Sequence, residues 1–309
     1  MKSKSLLIFV LLALLGCTKQ KIKNYEFSDF IFGSYVRIKV AAQDSLQAHK
    51  AFTKAMQTFY HIDSVASVYN PESELSRLNK NGSALLSADL KSLIIKSLEV
   101  SENSDGAFDI TVGSVMKSWG FYEDTGITAS DFQFDIDYKK IRINGDSIFL
   151  EPNMALDLGG IAVGYAVDKA CEVLKAERIK NGLIDAGGEI ICFGEESYKI
   201  GIKNPNGEGI ISAFFLKGQA VSTSGNYERY IERGNKRYSH IINPKRASPI
   251  EKSSSGLCSV TIIANKCVDA DAYATAVFVL GLKDGQKLIR KLGLQGVLST
   301  QDGKIVEVK

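Results

Sequence analysis

Histidine is nearly absent from this chain: three in 309 residues, at positions 49, 61 and 240. With no paired histidines and no C-x-x-C among five cysteines, zinc has no ligand set to draw on. Proline is almost as scarce, five in all, and no Pro/Ser-rich linker, low-complexity block or internal repeat divides the chain. One domain over residues 25–309 is therefore expected. The charge excess is only +3 with no basic stripe, which argues against a nucleic-acid partner. The G-x-G-x-x-G fingerprint of dinucleotide folds is missing too. Long apolar runs are missing everywhere except at the start.

There, Lys2 and Lys4 precede an unbroken apolar run, Leu6 to Leu15, that is too short to cross a bilayer as a helix. It ends in Leu14-Leu15-Gly16-Cys17 and resembles a bacterial lipoprotein signal. On that reading residues 1–16 are a signal peptide, Cys17 is the lipidated residue, and 17–24 is a polar, basic tether. The expected location is extracytoplasmic, on the periplasmic side, with acyl chains holding the protein to the inner or outer membrane. Of the other cysteines, Cys258 and Cys267 flank a strand-like run. A disulfide between them and buried free thiols at Cys171, Cys192, Cys258 and Cys267 are both open.

What is present is ordinary globular material, 45% hydrophobic and 24% charged. Strands are expected around a turn at Gly33-Ser34. Leu46, Phe52, Met56, Phe59 and Ala66 recur at helical spacing, until Tyr69-Asn70-Pro71 breaks the pattern. A second helix is expected over 85–102. Strands are expected over 110–112, 141–150, 154–158, 182–193, 198–202, 211–216, 220–222, 237–242 and 260–264. Helices follow over 270–280 and 285–292, then a hairpin around Asp302-Gly303. Strict β-α alternation is absent, so the predicted class is α+β (mixed α/β), with mostly antiparallel or mixed sheets flanked by helices.

Leu156-Asp157-Leu158-Gly159-Gly160 stands before a helix-forming segment. It reads either as a phosphate-binding helix start or as a plain tight turn needing positive φ. Asp271 and Thr275 lie four apart among alanines, on one helix face. They suit a hard cation such as Mg²⁺; the alternatives are a dipole-favoured carboxylate and a threonine bonded to its own helix. His240 ends a strand before Ile241-Ile242-Asn243-Pro244, placed either to reach a cleft or to serve the structure.

The motifs come in an order. Gly33-Ser34 is followed by Tyr69-Asn70-Pro71-Glu72-Ser73-Glu74-Leu75-Ser76-Arg77-Leu78-Asn79 and by Asp105-Gly106-Ala107-Phe108-Asp109-Ile110-Thr111-Val112. Then come Asp157 to Asp168, Thr223-Ser224-Gly225-Asn226-Tyr227, His240 to Pro244, and Ala270 to Ala276. Together they resemble the ApbE-type FAD:protein FMN transferases over nearly the whole chain after the signal. The resemblance implies a Mg²⁺-dependent enzyme that takes FAD as substrate. Such an enzyme attaches FMN to a threonine of an acceptor flavoprotein through a phosphoester and releases AMP. Sodium-pumping NADH:quinone reductase and Rnf-type complexes are the implied acceptors. The resemblance places metal ligands at the Ala162 carbonyl, Asp271 and Thr275, and the catalytic base at His240. Flavin-binding positions fall on Phe32, Tyr69, Ala107, Phe108, Asp109, Gly159, Tyr165 and Ile241, and the Gly159-Gly160 amides are expected to hold phosphate oxygens. The chain departs from the family at four points. Phe32 stands for methionine, Ser34 for threonine, Val163 for lysine and Asn243 for aspartate. Hydrolysis of FAD to FMN and AMP is the nearest rival, and a lipid-anchored FAD binder without turnover is another.

Overall fold

The computed structural model describes residues 22–122, 133–252 and 256–309. The signal over 1–16, Cys17 and most of the tether lie outside the described residues. The chain opens with β1 (Lys23–Ile31) and β2 (Ser34–Ala42), then α1 (Ser45–Ala66), α2 (Glu74–Asn81), β3 (Ser83–Leu85), α3 (Ala88–Asn103) and α4 (Gly113–Trp119). β4 (Arg142–Asn144) and β5 (Ser147–Phe149) precede α5 (Ala162–Ala176). Next come β6 (Gly182–Ala186), β7 (Glu189–Phe193), β8 (Tyr198–Lys203), β9 (Ile210–Leu216) and β10 (Ala220–Gly225). They are followed by β11 (Tyr230–Arg233), β12 (Lys236–Asn243), β13 (Ser248–Glu251) and β14 (Leu257–Ala264). The last elements are α6 (Cys267–Lys291), β15 (Gln295–Thr300) and β16 (Ile305–Val308).

Eight strands form one antiparallel sheet in the order β1-β2-β6-β7-β10-β14-β15-β16. Helices α1, α5 and α6 pack against it, and the main core lies at that contact. A ribbon of β8 and β9 seats Leu216 with Cys192, Val221 and Ile263 in a second cluster. Successive residues of a strand point to opposite faces. Ile191 accordingly belongs to the main core and Cys192 to the ribbon side. Strand β14 is covered on both sides and buried at every residue, which its sequence LCSVTIIA tolerates. The α+β class expected from sequence is the class that forms. Among the described residues no helix is long and apolar enough to cross a membrane.

Local chemistry sets the element ends. The Asp44 side chain accepts from Gln47 N at 2.8 Å and starts α1, whose buried face carries Phe59 and Ile62. Ser73 caps α2 through Ser76 N at 2.9 Å, and Gly82 ends it in the left-handed region. The first hairpin turns at Phe32-Gly33, one residue earlier than the sequence pattern indicated. Both residues have positive φ, 53° and 73°, as a two-residue turn matched to strand twist requires.

Several expectations are corrected. The strand expected over 141–150 is the β4–β5 hairpin, turned at Gly145 with φ 60°. Residues 110–112 and 154–158 make only one parallel bridge, Val112 to Ala155, because a side chain takes the partner's role. Asn79 accepts from Leu156 N at 2.7 Å and donates to Leu156 O at 2.8 Å. The two C-terminal helices are halves of α6, kinked at Gly281 (φ 75°, ψ −176°). Cys171, Cys192, Cys258 and Cys267 are all buried and free, so the disulfide alternative is not realised.

Candidate active site

The site begins where α5 crosses α6. At Gly164 a Cβ would stand 2.6 Å from the Cys267 carbonyl oxygen and 2.8 Å from the Asp271 Cβ, so only glycine permits this approach. Each helix caps the other. Asp168 of α5 accepts from Cys267 N at 2.8 Å and Val268 N at 3.0 Å, and Asp271 of α6 accepts from Gly164 N at 3.0 Å. These bonds satisfy amides that a helix start leaves orphaned. Gly160 meets Thr275 one turn further along α6: a Cβ there would lie 3.4 Å from the Thr275 Oγ1 and 3.3 Å from the Phe108 ring. The stretch from Gly160 to Gly164 therefore runs along the face carrying Asp271 and Thr275, with Ala162 between. The Thr275 hydroxyl also reaches Ser224 Oγ at 3.2 Å.

Asp271 is 5% exposed and has no ion-pair partner among the described residues. Burial pushes its carboxyl up to about 7; the Gly164 amide works against this, and the charges of Glu228 and Asp168 add to it. Glu228 is likewise raised to about 7 by enclosure of its carboxyl end, against the pull of Lys203. Glu189 is held well above the carboxylate range by burial and by the charges of Asp271 and Glu228. Carboxyl groups that hold their protons to unusually high pH thus gather around the α5–α6 crossing. Among the described residues no three His, Cys, Asp or Glu side chains form a cage that would hold a metal alone. One carboxylate, one hydroxyl and one carbonyl suit a hard cation that keeps water and ligand oxygens in its shell.

Motifs far apart in sequence converge on the glycine turn. Asn79 pins Leu156, as described, and the Ile110 carbonyl accepts from Asp157 N at 2.7 Å. Asp109 shapes the preceding segment, accepting from Thr111 N at 2.8 Å, Thr111 Oγ1 at 2.7 Å and Tyr138 N at 3.1 Å. Neither Gly159 nor Gly160 has positive φ, so the turn does not use glycine for its backbone freedom. The Gly159 amide is occupied: it donates to Asp157 Oδ1 at 2.6 Å. Ile161 N and Ala162 N both donate to the Leu158 carbonyl. Among the described residues the amides of Gly160 and Val163 have no partner, and those two, rather than the Gly159-Gly160 pair, are the open donors at the start of α5.

His240 stands half-buried on β12. Its Nδ1 lies 3.1 Å from the Arg229 carbonyl, and its backbone amide donates to the same oxygen at 3.0 Å. A carbonyl only accepts, so the neutral ring carries its proton on Nδ1 and Nε2 is the basic nitrogen. Burial lowers the imidazole below its usual 6.5, the Arg229 carbonyl bond and the Asp157 charge hold it up, and the Arg229 charge lowers it further. Asp157 also accepts from the Tyr122 hydroxyl, and the rings of Tyr122 and Tyr69 meet edge-on, centroids 5.7 Å apart. Arg229 Nη2 donates to the Tyr69 hydroxyl at 2.7 Å. Tyr69 and His240 are thus joined through Arg229, and Tyr69 and Gly159 through Tyr122 and Asp157.

The remaining expected residues fall in three places. Ala107 and Phe108 are buried beside the turn, with Phe108 N donating to Ser104 Oγ at 3.1 Å. Ile241 is buried next to His240. Phe32 stands at the tip of the first hairpin against Phe59 (centroids 6.4 Å), and neighbouring Ser34 approaches Gly187 in the turn before Glu189. Tyr165 is turned to α3 rather than α6: its hydroxyl donates to Asp89 at 2.7 Å, in a cluster with His61 and Lys169. Val163 packs against the main core.

Sequence reasoning missed Tyr122, Arg229, Glu189 and the capping role of Asp168. Arg229 lies two residues after the Thr223–Tyr227 motif, a weak signal that became useful only once the backbone placed it; Glu189 lies near no motif singled out above. Tyr122 carries no local pattern.

Fold and site together define an α+β protein whose main sheet supports a helix-start turn, a buried Asp/Thr pair and a tautomer-fixed histidine. The chain belongs to the ApbE family, whose model matches residues 32–298. It is 30% identical over 280 residues to a Klebsiella pneumoniae protein named FAD:protein FMN transferase, covering 86% of each chain. A Salmonella typhimurium protein of the same name is 29% identical, over 88% of this chain and 83% of that one. Among solved structures, the ApbE protein of Thermotoga maritima superposes with a TM-score of 0.84 at 29% identity, over 93% of this chain and 97% of that one. The apo flavinyl transferase ApbE of Pseudomonas stutzeri gives 0.82 at 27% identity, over 93% and 95%.

Proposed function

We propose that this chain is an FAD:protein FMN transferase that moves FMN from FAD onto a threonine of an extracytoplasmic flavoprotein and releases AMP. The observation that carries the reading is the chain of contacts from His240 through Arg229, Tyr69 and Tyr122 to Asp157, in the turn that abuts Asp271 and Thr275. A threonine hydroxyl is a weak nucleophile at neutral pH and needs a base. Its oxygen attacks the phosphorus of the FMN half, its proton passes to His240 Nε2, and the phosphorus–oxygen bond to the AMP half breaks. AMP leaves with the bridging oxygen. The open amides of Gly160 and Val163 are placed to receive phosphate oxygens. A Mg²⁺ held by Asp271, Thr275 and the Ala162 carbonyl would supply neutralisation of the diphosphate charge. Acceptors of the class found in sodium-pumping NADH:quinone reductase or Rnf-type complexes fit this chemistry.

The test is incubation of the protein with FAD, MgCl₂ and an acceptor fragment bearing the threonine. Protein-bound flavin and AMP in equal amounts are expected. Free FMN with AMP would make the chain a diphosphatase, and FAD binding without AMP would make it a carrier; either outcome overturns the transferase reading. We also propose Cys17 as the lipid attachment point, with the protein on the periplasmic side. Cys17→Ser should move it from the membrane to the soluble fraction, and unchanged membrane association would refute the anchor.

A further inference from the structure

Arg229 serves the site twice, and only one of those services is structural. Its carbonyl fixes the His240 tautomer. Its guanidinium makes no ion pair with any carboxylate among the described residues. The side chain is exposed and parked on Tyr69, donating to the hydroxyl at 2.7 Å with its centre 5.8 Å from the ring centroid. The acids nearby are committed elsewhere. Asp157 is taken by Gly159 N and Tyr122, and Glu228, the next residue in sequence, interacts with Lys203. An arginine left without a carboxylate beside a basic histidine has a planar fork of donors to offer. Phosphate oxygens match that fork better than a flavin ring edge does, and the bond is charge-assisted.

We propose that Arg229 is a substrate-binding residue that recognises the phosphate groups of the flavin nucleotide, with the Tyr69 hydroxyl holding the guanidinium in position. The inference rests on the reading of FAD as substrate. It adds a cation beside His240 to the open amides at the start of α5.

Flavin fluorescence titration of the full protein and of Arg229→Gln with riboflavin, FMN and FAD tests it. Arg229→Gln should bind FMN and FAD about tenfold or more weakly, with riboflavin affinity unchanged. Arg229→Lys, which keeps the charge without the fork, should fall between. Equal weakening of all three ligands by Arg229→Gln would place the side chain on the flavin ring or in a purely structural role. Unchanged FMN and FAD affinity would remove it from binding. Either result overturns the proposal. If the parent binds none of the three, the FAD reading itself fails and the assignment falls with it; if the parent binds FAD and only the ratio test fails, the fault lies with Arg229 alone.

Discussion

His240 illustrates how a single backbone contact prepares a side chain for chemistry. The Arg229 carbonyl holds Nδ1–H and so presents Nε2. Burial keeps the ring neutral to a lower pH than a free imidazole. A neutral base is lost as pH falls through its own value, so the acid limb of the transfer rate should have its midpoint below 6.5. His240→Ala should leave FAD affinity intact, reduce transfer by about a hundred- to ten-thousand-fold, and abolish that limb. A variant that transfers FMN at the parental rate would exclude His240 as base. At this scale the sequence was informative where a rare residue type stood beside a turn, as with His240. It was silent on Tyr122 and Arg229, whose side chains find their partners 35 and 160 residues away along the chain.

The decisive element pair is α5 and α6. Their mutual capping by Asp168 and Asp271 fixes the register in which Gly160 meets Thr275 and Gly164 meets Asp271. Gly164→Ala puts a methyl against backbone of the other helix, which does not yield as a flexible side chain would. Destabilisation of about 1–3 kcal/mol is expected, or roughly 2–4 °C in Tm for each kcal/mol. A variant melting with the parent would show that the helices are free to separate here. Long periodic helices such as α1 were readable from sequence because one buried face repeats over six turns. The short α2 was not, although Ser73 before Leu75 and Leu78 is a start signal that outweighs the Asn70-Pro71 break just upstream. The false strand over 154–158 has the opposite cause. Its apolar alternation is real, but its partner is the Asn79 side chain rather than a strand, and no local pattern announces that.

For the molecule as a whole, the acids around the α5–α6 crossing set a pH and cation response. Asp271 and Glu228 are raised to about 7 and Asp168 to about 6, and Glu189 is held well above its ordinary value, chiefly by desolvation. The folded chain therefore holds protons that the unfolded chain has already lost above its ordinary carboxylate value of about 4. Stability contributed by these groups is greatest near that value, declines as pH rises towards about 7, and is lost above it. Without divalent cation, Tm should fall between about pH 5 and pH 8. Mg²⁺ should restore more of it at the higher pH, where Asp271 is ionised and able to bind. Asp271→Asn should flatten both responses, and an Mg²⁺ shift independent of pH in the parent would contradict the assignment. The antiparallel sheet makes such a response global, because α6 carries Asp271 and packs on the central strands β10 and β14.

The bond from Gly164 N to Asp271 has a consequence for reading relatives of this protein. A descendant that no longer turned over substrate, and no longer needed a cation, would still be under pressure to keep this aspartate, because the start of α5 depends on it. Survival of the aspartate is thus poor testimony to activity in any one lineage. Thr275, which among the described residues caps no helix and shares a hydroxyl contact with Ser224, is the position whose drift would mark a retired enzyme first.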